Sequence, residues 1–515
     1  MPTSSQVYRS TRSSTPETLS FEEAVIQGLA PDGGLFVPPE IPQVNEDLLF
    51  SKWAKLSFRE LVFEVMRLYI SSEEIPDADL KELIARSYST FRAEDVTPLV
   101  KHLTGPGENL HVLELFHGPT YAFKDVALQF VGNLFEYFLG RINKDLPKEQ
   151  RKRITVVGAT SGDTGSAAIY GLRGKQDVAV FILYPTGRIS SIQEEQMTTV
   201  PDKNVQTLSV KGTFDNCQDI VKAIFGDKEF NKKHNIGAVN SINWARILAQ
   251  MTYYFYSYFQ ATEGKKARVK FVVPSGNFGD ILAGYYAKKM GLPVEKLVIA
   301  TNENDILNRF LRTGSYEKSS EVAATYSPAM DILISSNFER LLWYLAKECL
   351  AGGDPLKAGS IVNEWFTELK VKGSFNVGQV VITNATADFA SERVSDEETI
   401  NTIRHIYEVS KNPQRYILDP HTAVGVCASE RIMKADGAES SSINYISLST
   451  AHPAKFSGAV SKALRDFSDY SFERDVLPDE LKTLSSLPKK LKFIEKADVK
   501  LVEEAIEEEL AKMEL

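Results

Sequence analysis

Beyond Pro98, short runs rich in β-branched residues alternate with amphipathic segments of helix length. This alternation is typical of βα units, in which helices cover a parallel sheet. The predicted strands are Ile154–Val157, Val178–Tyr184, Thr207–Val210, Val269–Val273, Leu297–Ala300 and Tyr445–Leu448. The predicted helices are Phe214–Phe225, Trp244–Thr262, Gly279–Met290, Asn337–Leu350 and Ala454–Leu464. We therefore predict an α/β fold.

Composition excludes several classes of protein. The chain has 515 residues, 43% of them hydrophobic and 25% charged, with 59 Lys plus Arg against 68 Asp plus Glu and a net charge of −9. This is ordinary globular composition, so disorder, collagen-like repeats and a disulfide scaffold are excluded. Without a basic stripe to neutralise phosphates, we expect no nucleic-acid partner. The length predicts two to four domains, at roughly 100–200 residues each.

Cysteine and histidine content is low. Cys217, Cys349 and Cys427 lie far apart, and the seven histidines form no metal-binding spacing. We therefore expect a reducing compartment and no metal. No stretch approaches the roughly 18 apolar residues that a membrane-spanning helix needs.

The first sixteen residues are rich in Ser and Thr, carry Arg9 and Arg12, and lack acidic residues until Glu17, which leaves a transit peptide as an alternative. We favour a mature folded segment because Tyr8–Arg12 runs without a break into Phe21–Ala24 and a turn-like Pro/Gly cluster. The expected location is cytoplasmic.

Three strand-to-helix junctions carry small, hydroxylated and glycine residues where apolar ones are usual. They are Val157–Gly165, Val273–Asp280 and Leu448–Pro453. Ligands of open α/β sheets bind at the carboxyl ends of strands. A glycine-rich loop that opens a helix presents backbone N–H groups to an anion. Neither glycine loop has Walker A or dinucleotide spacing, and each alone could be a tight turn. Two such loops favour an anion-binding pocket.

Lys124 lies among Phe and Ala neighbours at the start of the helical pattern Val126–Phe135. A lysine desolvated by apolar neighbours has a lowered pKa, which suits an amine nucleophile. The alternative is a packed stem with its amine in water. Lysine, phosphate-binding loop and strand-end hydroxyl together are what pyridoxal phosphate requires of a protein.

Seven motifs stand out along the chain. They are YRSTR (Tyr8–Arg12), GLAPDGGLFVP (Gly28–Pro38), ELFHGPTYAFKD (Glu114–Asp125), ATSGDTG (Ala159–Gly165), NSINWARILAQ (Asn240–Gln250), PSGNFGD (Pro274–Asp280) and STAHPAKF (Ser449–Phe456). Together they resemble the long form of the threonine synthase family, found in fungi and many bacteria. The likeness extends from about Tyr8 to Phe493.

The resemblance implies a pyridoxal-phosphate enzyme of fold type II, the tryptophan synthase β-like superfamily. Lys124 matches the lysine that binds the cofactor and then moves substrate protons. Thr450 matches the hydroxyl that faces the pyridine nitrogen, with a helix N-cap as the alternative role. The loop that wraps the cofactor phosphate matches Ser275, Gly276, Asn277, Phe278, Gly279 and Asp280.

The substrate-binding residues implied by the matching motifs are Thr160, Ser161, Asp163, Thr164, Asn243 and Arg246. Arg246 is the best candidate for the substrate phosphate because a guanidinium grips phosphate with two hydrogen bonds. Its alternative role is a surface salt bridge. Asp163 stands where other fold type II enzymes have Asn, which puts in doubt a simple hydrogen bond to the cofactor.

The implied reaction converts O-phospho-L-homoserine and water to L-threonine and phosphate. The alternatives are a related O-phospho-lyase, a serine/threonine dehydratase, or an inactive binding protein of this fold. We expect an N-terminal domain at 1–98, a large cofactor-binding domain at 99–150 and 260–465, a small substrate-closing domain at 151–259 and a helical tail at 466–515. A monomer is favoured over a homodimer.

Overall fold

The computed structural model describes residues 6–105, 108–237, 239–410 and 415–513. The strands are β1 (Arg9–Ser10), β2 (Phe36–Val37), β3 (Leu99–Val100), β4 (Leu110–Glu114), β5 (Ile154–Ala159), β6 (Val178–Pro185), β7 (Val205–Val210), β8 (Ile236–Gly237), β9 (Arg268–Pro274), β10 (Lys296–Thr301), β11 (Ser315–Glu317), β12 (Ser374–Asn376), β13 (Phe389–Arg393), β14 (Ile443–Ser449) and β15 (Lys492–Ile494).

The helices of the first half are α1 (Phe21–Gln27), α2 (Phe58–Arg67), α3 (Asp77–Tyr88), α4 (Lys124–Asn143), α5 (Asp163–Leu172), α6 (Ser191–Thr198), α7 (Phe214–Gly226), α8 (Lys228–His234) and α9 (Trp244–Thr262). The later helices are α10 (Gly279–Lys289), α11 (Ile306–Thr313), α12 (Phe338–Cys349), α13 (Pro355–Lys372), α14 (Gln379–Asp388), α15 (Asp396–Val409), α16 (Pro420–Asp436), α17 (Ser457–Leu464), α18 (Phe472–Asp475), α19 (Asp479–Thr483) and α20 (Val499–Lys512). Short 3₁₀ turns include Pro328–Met330 and Pro453–Phe456.

The chain forms two compact units. The larger unit comprises the described parts of Met1–Lys81, Ala93–His117 and Ser241–Tyr470. Its six-stranded sheet has the order β13-β10-β9-β14-β4-β3, in which every pair is parallel except β3 with β4. Its core includes Val272, Val298 and Val424. The carboxyl ends of β9 and β14 therefore lie side by side, which brings two of the three polar junctions to one edge.

The smaller unit comprises the described parts of Glu82–Arg92, Gly118–Asn240 and Ser471–Leu515. Its sheet has the order β15-β7-β6-β5-β8, with all neighbouring strands parallel. Helix α20 completes its core with Val502, Ala505 and Ile506. The C-terminal segment is thus an integral part of this unit, because its apolar face is buried beside β5 to β7.

The observed elements confirm the α/β prediction and most predicted bounds to within a few residues. Helix α9 spans the predicted Trp244–Thr262, and its aromatic run Tyr253–Phe259 is core, with only Tyr256 half-buried. The chief difference is Ala454–Leu464, which begins as a 3₁₀ turn before α17. Pro453 fits the first position of this turn because a backbone N–H there would have no partner, and proline has no N–H. Among the described residues, no helix is long and apolar enough to cross a membrane.

Candidate active site

Lys124 is the first residue of α4 in the smaller unit. Its side chain is half-buried, and its Nζ lies 5.5 Å from the centre of the Phe123 ring. The amine therefore sits beside an aromatic face at the amino end of a helix of twenty residues. The sequence predicts apolar neighbours for this amine, and the Phe123 ring is one that the structure places beside it.

The turn before Lys124 is held by its own polar groups. The carboxylate of Asp125 accepts hydrogen bonds from Thr120 N at 2.8 Å and Thr120 Oγ1 at 2.7 Å. A Cβ on Gly118 would lie 2.4 Å from Asp125 Cβ, so only glycine allows this closure. Tyr121 adopts φ of +62°, which costs free energy for a bulky residue and persists where surrounding contacts impose it.

Arg92 and Glu480 brace the same turn from outside. Arg92 donates to the carbonyl oxygen of Gly118 and to the carboxylate of Glu480, and its guanidinium lies 3.8 Å from the centre of the Tyr121 ring. The Tyr121 hydroxyl donates to Glu480 Oε2 at 3.2 Å. Burial raises the pKa of Tyr121 to about 12, so it remains a donor at neutral pH. The C-terminal segment thus supports the lysine turn through α19.

The loop after β5 contains residues with separate tasks. Thr160 is buried, and its Oγ1 accepts the N–H groups of Gly162 and Gly165, each at 2.9 Å. Ser161 is exposed and Thr164 half-buried, so their hydroxyls can reach a ligand. Asp163 is buried, and its Oδ1 accepts from Gln193 Nε2 at 2.9 Å. Thr160 therefore braces the loop that presents Ser161 and Thr164.

Helix α6 ties this loop to the lysine turn. Gln193 donates to Asp163, and Gln196, one helical turn later, donates from Nε2 to the carbonyl oxygen of Thr120 at 3.2 Å. Both glutamines are buried. The structure therefore brings together the predicted residues of the smaller unit through two side chains that the sequence analysis missed.

In the larger unit, residues Ser275–Gly279 join β9 to α10. Ser275 donates its N–H to the carbonyl oxygen of Ala300 at 2.9 Å and so continues the sheet. The next four N–H groups, Gly276 to Gly279, donate to no backbone carbonyl within the described ranges of the chain. Free N–H groups at a helix start form a site for an anion. This loop fits the phosphate of pyridoxal phosphate.

Backbone strain and backing residues keep the loop in this shape. Phe278 has φ of +62°, and its ring packs edge-on against Phe338 at 5.0 Å. Asn337 N donates to the carbonyl oxygen of Asn277 at 3.0 Å, and Ser335 Oγ to that of Gly276 at 2.6 Å. With the carbonyl groups held on one side, the N–H groups face the other. Strain of this kind is concentrated at functional sites.

Asp280 has its side chain directed into the protein. The carboxylate accepts from the hydroxyls of Tyr253 at 2.6 Å and Tyr254 at 2.8 Å, and it is buried between α9 and α10. Burial raises its pKa to about 6. The side chain of Asp280 is therefore held by α9, so an anion at this loop could use only the backbone of this residue.

Thr450 directly follows β14 and is buried. The alternative role as a helix N-cap is wrong, because His452 caps the 3₁₀ turn by accepting the N–H of Ala454 at 3.2 Å. The preceding Ser449 lies 2.9 Å, oxygen to oxygen, from the Thr422 hydroxyl. Thr450 thus stands at the end of a strand whose last hydroxyl is fixed.

Asn243 and Arg246 open α9 and are both buried. Asn243 caps the helix, with Oδ1 accepting from Ala245 N at 3.0 Å and Nδ2 donating to the carbonyl oxygen of Val25 at 2.9 Å. Both polar atoms of the Asn243 side chain therefore have partners within the protein. Burial lowers the pKa of Arg246 to about 10 and rules out the alternative of a helix-surface salt bridge. A buried guanidinium is positively charged at neutral pH and favours an anionic ligand.

Asn337 and Arg340 connect the start of α9 to the loop after β9. Asn337 Nδ2 donates to the carbonyl oxygen of Ser241 at 3.1 Å, while its N–H holds Asn277. Arg340 is fully buried and donates to Asn337 Oδ1 at 2.6 Å, to the carbonyl oxygen of Ile242 at 2.6 Å and to that of Phe36 at 2.8 Å. The structure thereby links the predicted residues of the larger unit, and no local sequence signal marks these two supports.

His117 contacts Glu114, the last residue of β4, with Nε2 and Oε2 2.7 Å apart. The Tyr416 hydroxyl donates to Glu114 Oε1 at 2.7 Å. Within the described part of the chain, no group of three or more His, Cys, Asp or Glu residues could hold a metal ion.

Three family models match the chain, and the ranges of the last two overlap. Residues 7–88 match "Threonine synthase N terminus", residues 90–445 match "Pyridoxal-phosphate dependent enzyme", and residues 422–506 match "Threonine synthase, C-terminal". The chain is 76% identical over 516 residues to threonine synthase of Saccharomyces cerevisiae, with 100% of both sequences covered.

Solved structures give the same result. The crystal structure of threonine synthase from yeast matches with a TM-score of 0.96 at 76% identity, covering 99% of both chains. Threonine synthase from Brucella melitensis, solved with pyridoxal phosphate bound, matches with a TM-score of 0.86 at 40% identity, covering 98% of this chain and 99% of that one.

Proposed function

The chain belongs to the threonine synthase family of pyridoxal-phosphate-dependent enzymes, and on this basis we propose how its own residues serve the reaction. Family membership confirms the predicted fold type II and the cofactor. The reaction is the conversion of O-phospho-L-homoserine and water to L-threonine and phosphate, the last step of threonine biosynthesis. The observation that carries this function is a family likeness running the whole length of the chain.

When bound, pyridoxal phosphate supplies an electron sink that makes the protons next to the substrate's amine-bearing carbon removable. We assign Lys124 the covalent attachment of the cofactor and, once displaced by the substrate amine, the transfer of protons at the α- and β-carbons. Its position at a helix start held by Asp125, Arg92 and Gln196 supports this role, because a proton-transfer group must be fixed near its target.

The cofactor's phosphate is assigned to the N–H groups of Gly276, Asn277, Phe278 and Gly279, with Ser275 and Asp280 at the two ends of the loop. The free donors and the positive end of α10 support this assignment. Thr450 is assigned to the pyridine nitrogen, where a hydroxyl can hydrogen bond without keeping that nitrogen protonated.

The substrate groups are assigned to three of the six predicted residues as direct contacts. Ser161 and Thr164 have accessible hydroxyls for the carboxylate or phosphate. Arg246 provides the charge for the phosphate. Thr160, Asp163 and Asn243 act as positioning residues, because their side chains already hold the loop, α6 and the start of α9.

Four features of the protein remain proposals. We propose the domain division 1–98, 99–150 with 260–465, 151–259 and 466–515, and a monomer in preference to a homodimer. We also propose a cytoplasmic location and no nucleic-acid partner, supported by the three free cysteines and the mildly acidic charge.

The test is incubation of purified holoenzyme with O-phospho-L-homoserine, measuring phosphate release and identifying the organic product. Equal amounts of phosphate and threonine are expected. Phosphate with an oxoacid would instead identify an O-phospho-lyase, and activity on serine or threonine alone would identify a dehydratase. Protein that carries the cofactor but releases no phosphate would contradict the assigned substrate.

A further inference from the structure

Asp419 is a buried carboxylate to which the proposed mechanism assigns no task. It caps α16 by accepting the N–H groups of His421 at 2.9 Å and Thr422 at 3.3 Å. It also accepts from His421 Nδ1 at 2.9 Å and from the Thr422 hydroxyl. An N-cap residue needs only the two backbone contacts. The two side-chain contacts give Asp419 two further connections.

The first connection passes through His421. Its Nε2 accepts the backbone N–H of Ala329 at 3.1 Å. Because an amide N–H can only donate, Nε2 carries no proton, and the ring proton lies on Nδ1 and points to Asp419. The ring is therefore held in one tautomer and one orientation by two partners with fixed roles.

Ala329 belongs to the 3₁₀ turn Pro328–Met330, which backs the loop after β9. A Cβ placed on Gly276 would lie 2.9 Å from Met330 Cα and 3.3 Å from the carbonyl oxygen of Ala329. The loop rests directly on this turn. Asp419 thus fixes, through His421 and Ala329, the surface that supports the four free N–H groups.

The second connection passes through Thr422. The Thr422 hydroxyl gives its single proton to Asp419, so its oxygen accepts from the Ser449 hydroxyl at 2.9 Å. Ser449 ends β14 and is followed by Thr450. The same carboxylate therefore fixes the strand end that presents Thr450.

We propose that Asp419 is a positioning residue that sets both ends of the cofactor site, the phosphate loop through His421 and Thr450 through Thr422. This inference rests on the roles proposed above for Gly276–Gly279 and Thr450. Asp419 does not contact the cofactor in this proposal. It fixes the orientation of the groups that do.

The test compares the binding of pyridoxal phosphate and of pyridoxal, which lacks the phosphate, to cofactor-free protein by absorbance titration. His421→Phe removes support for the phosphate loop, so we expect about tenfold weaker binding of pyridoxal phosphate and unchanged binding of pyridoxal. His421→Gln retains an acceptor for Ala329 and should recover part of the loss. Thr422→Val should weaken both ligands by a similar factor and shift the absorbance of the bound cofactor.

Asp419→Asn should combine both effects, although asparagine caps a helix as well as aspartate does. The matched control is Asp354→Asn. Asp354 also caps a helix before Pro355, accepting from Leu356 N at 2.8 Å, but it is exposed. Its variant should bind both ligands as the wild type does. Unfolding temperatures of the cofactor-free proteins separate a positioning effect from a loss of fold.

Two results would overturn the inference. If Asp419→Asn binds both ligands like the wild type, or loses affinity only in proportion to lost thermal stability, Asp419 is a cap alone. If the wild type itself does not prefer pyridoxal phosphate to pyridoxal, the proposed phosphate loop is wrong and the inference falls with it. The second result is visible without any variant, so the two failures are distinguishable.

Discussion

The hydroxyl of Tyr254 lies 2.8 Å from Asp280 Oδ1 and 3.0 Å from the Asp280 carbonyl oxygen, and so joins α9 to the first turn of α10. Tyr253 adds a second hydroxyl to the same carboxylate oxygen at 2.6 Å. Both donors favour the ionised carboxylate, yet burial outweighs them and raises the pKa of Asp280 to about 6. The contribution of Asp280 to the free energy of unfolding should therefore depend on pH.

We expect the contribution of Asp280 to the stability of the wild type to fall as pH rises from 4 to 7. The pKa of Asp280 is about 6 in the folded protein against an ordinary value of 3.8, so the folded state binds the proton more tightly. Stabilisation by this proton is complete below about pH 4 and is lost as pH rises through 6. At 1.36 kcal/mol per pKa unit, the difference is roughly 3 kcal/mol.

Asp280→Asn removes the titrating group. The free energy of unfolding of the variant, relative to that of the wild type, should therefore rise by roughly 3 kcal/mol between pH 4 and 7. Urea unfolding at several pH values measures this difference. Tyr254→Phe removes a hydrogen bond to the ionised form and should move the wild-type transition to higher pH. An equal pH slope in Asp280→Asn and wild type would contradict the assignment.

Close packing of α4 on α5 gives a second prediction. A Cβ on Gly132 would lie 1.8 Å from the carbonyl oxygen of Gly171, so the two helix backbones meet at two glycines. Gly132→Ala should therefore force apart the helix that begins at Lys124 and destabilise the protein by about 3 kcal/mol. Denaturant unfolding measures this directly.

The control for that variant lies on the same helix. A Cβ on Gly140 would meet nothing within 4 Å, and the residue is exposed. Gly140→Ala should stabilise the protein by about 0.5–1 kcal/mol, because alanine favours the helix over the unfolded chain. If the two variants have the same free energy of unfolding, the close contact at Gly132 does not restrict the size of its side chain.

Local sequence signals predict most of the fold. Helix α9 is recognisable because its apolar and aromatic residues continue without a glycine or proline from Trp244 to Thr262. The parallel strands are recognisable because they are short, β-branched and bounded by turn residues. The two glycine loops stand out because their residues would be poor choices inside a strand or helix.

The supports of the site could not be predicted in this way. Gln193 and Gln196 read as ordinary helix residues, and only the tertiary fold places them against Asp163 and Thr120. Thr450 looks like a cap until the structure shows that His452 fills that role. Hydrogen-bond partners distant in sequence depend on how the strands are ordered, which local propensity does not encode.

Arg246 gives a prediction about the substrate's phosphate. Burial of its guanidinium disfavours the charge, and an anion bound beside it would offset that cost. Arg246→Met should raise KM for O-phospho-L-homoserine about tenfold or more and reduce the thermal stabilisation of the holoenzyme by inorganic phosphate.

Arg268→Met is the matched control, because Arg268 is an exposed arginine paired with Glu295 and Glu439. That variant should keep the wild-type KM and the wild-type response to phosphate. If Arg246→Met lowers stability but keeps both readouts, Arg246 serves the core of the protein and another residue holds the phosphate.

Lys124 gives the last prediction, because burial alone does not identify the reactive amine. Lys175 lies in the same unit, is also half-buried, and has its pKa lowered by burial. What distinguishes Lys124 is its place after a fixed turn at the start of α4.

Borohydride makes the link between lysine and cofactor irreversible. It should therefore label Lys124 and not Lys175, as read by mass spectrometry of peptides. Lys124→Ala should lose the label and at least 10³-fold in kcat, whereas Lys175→Ala should keep the label. A label that persists in Lys124→Ala would move the reactive amine elsewhere.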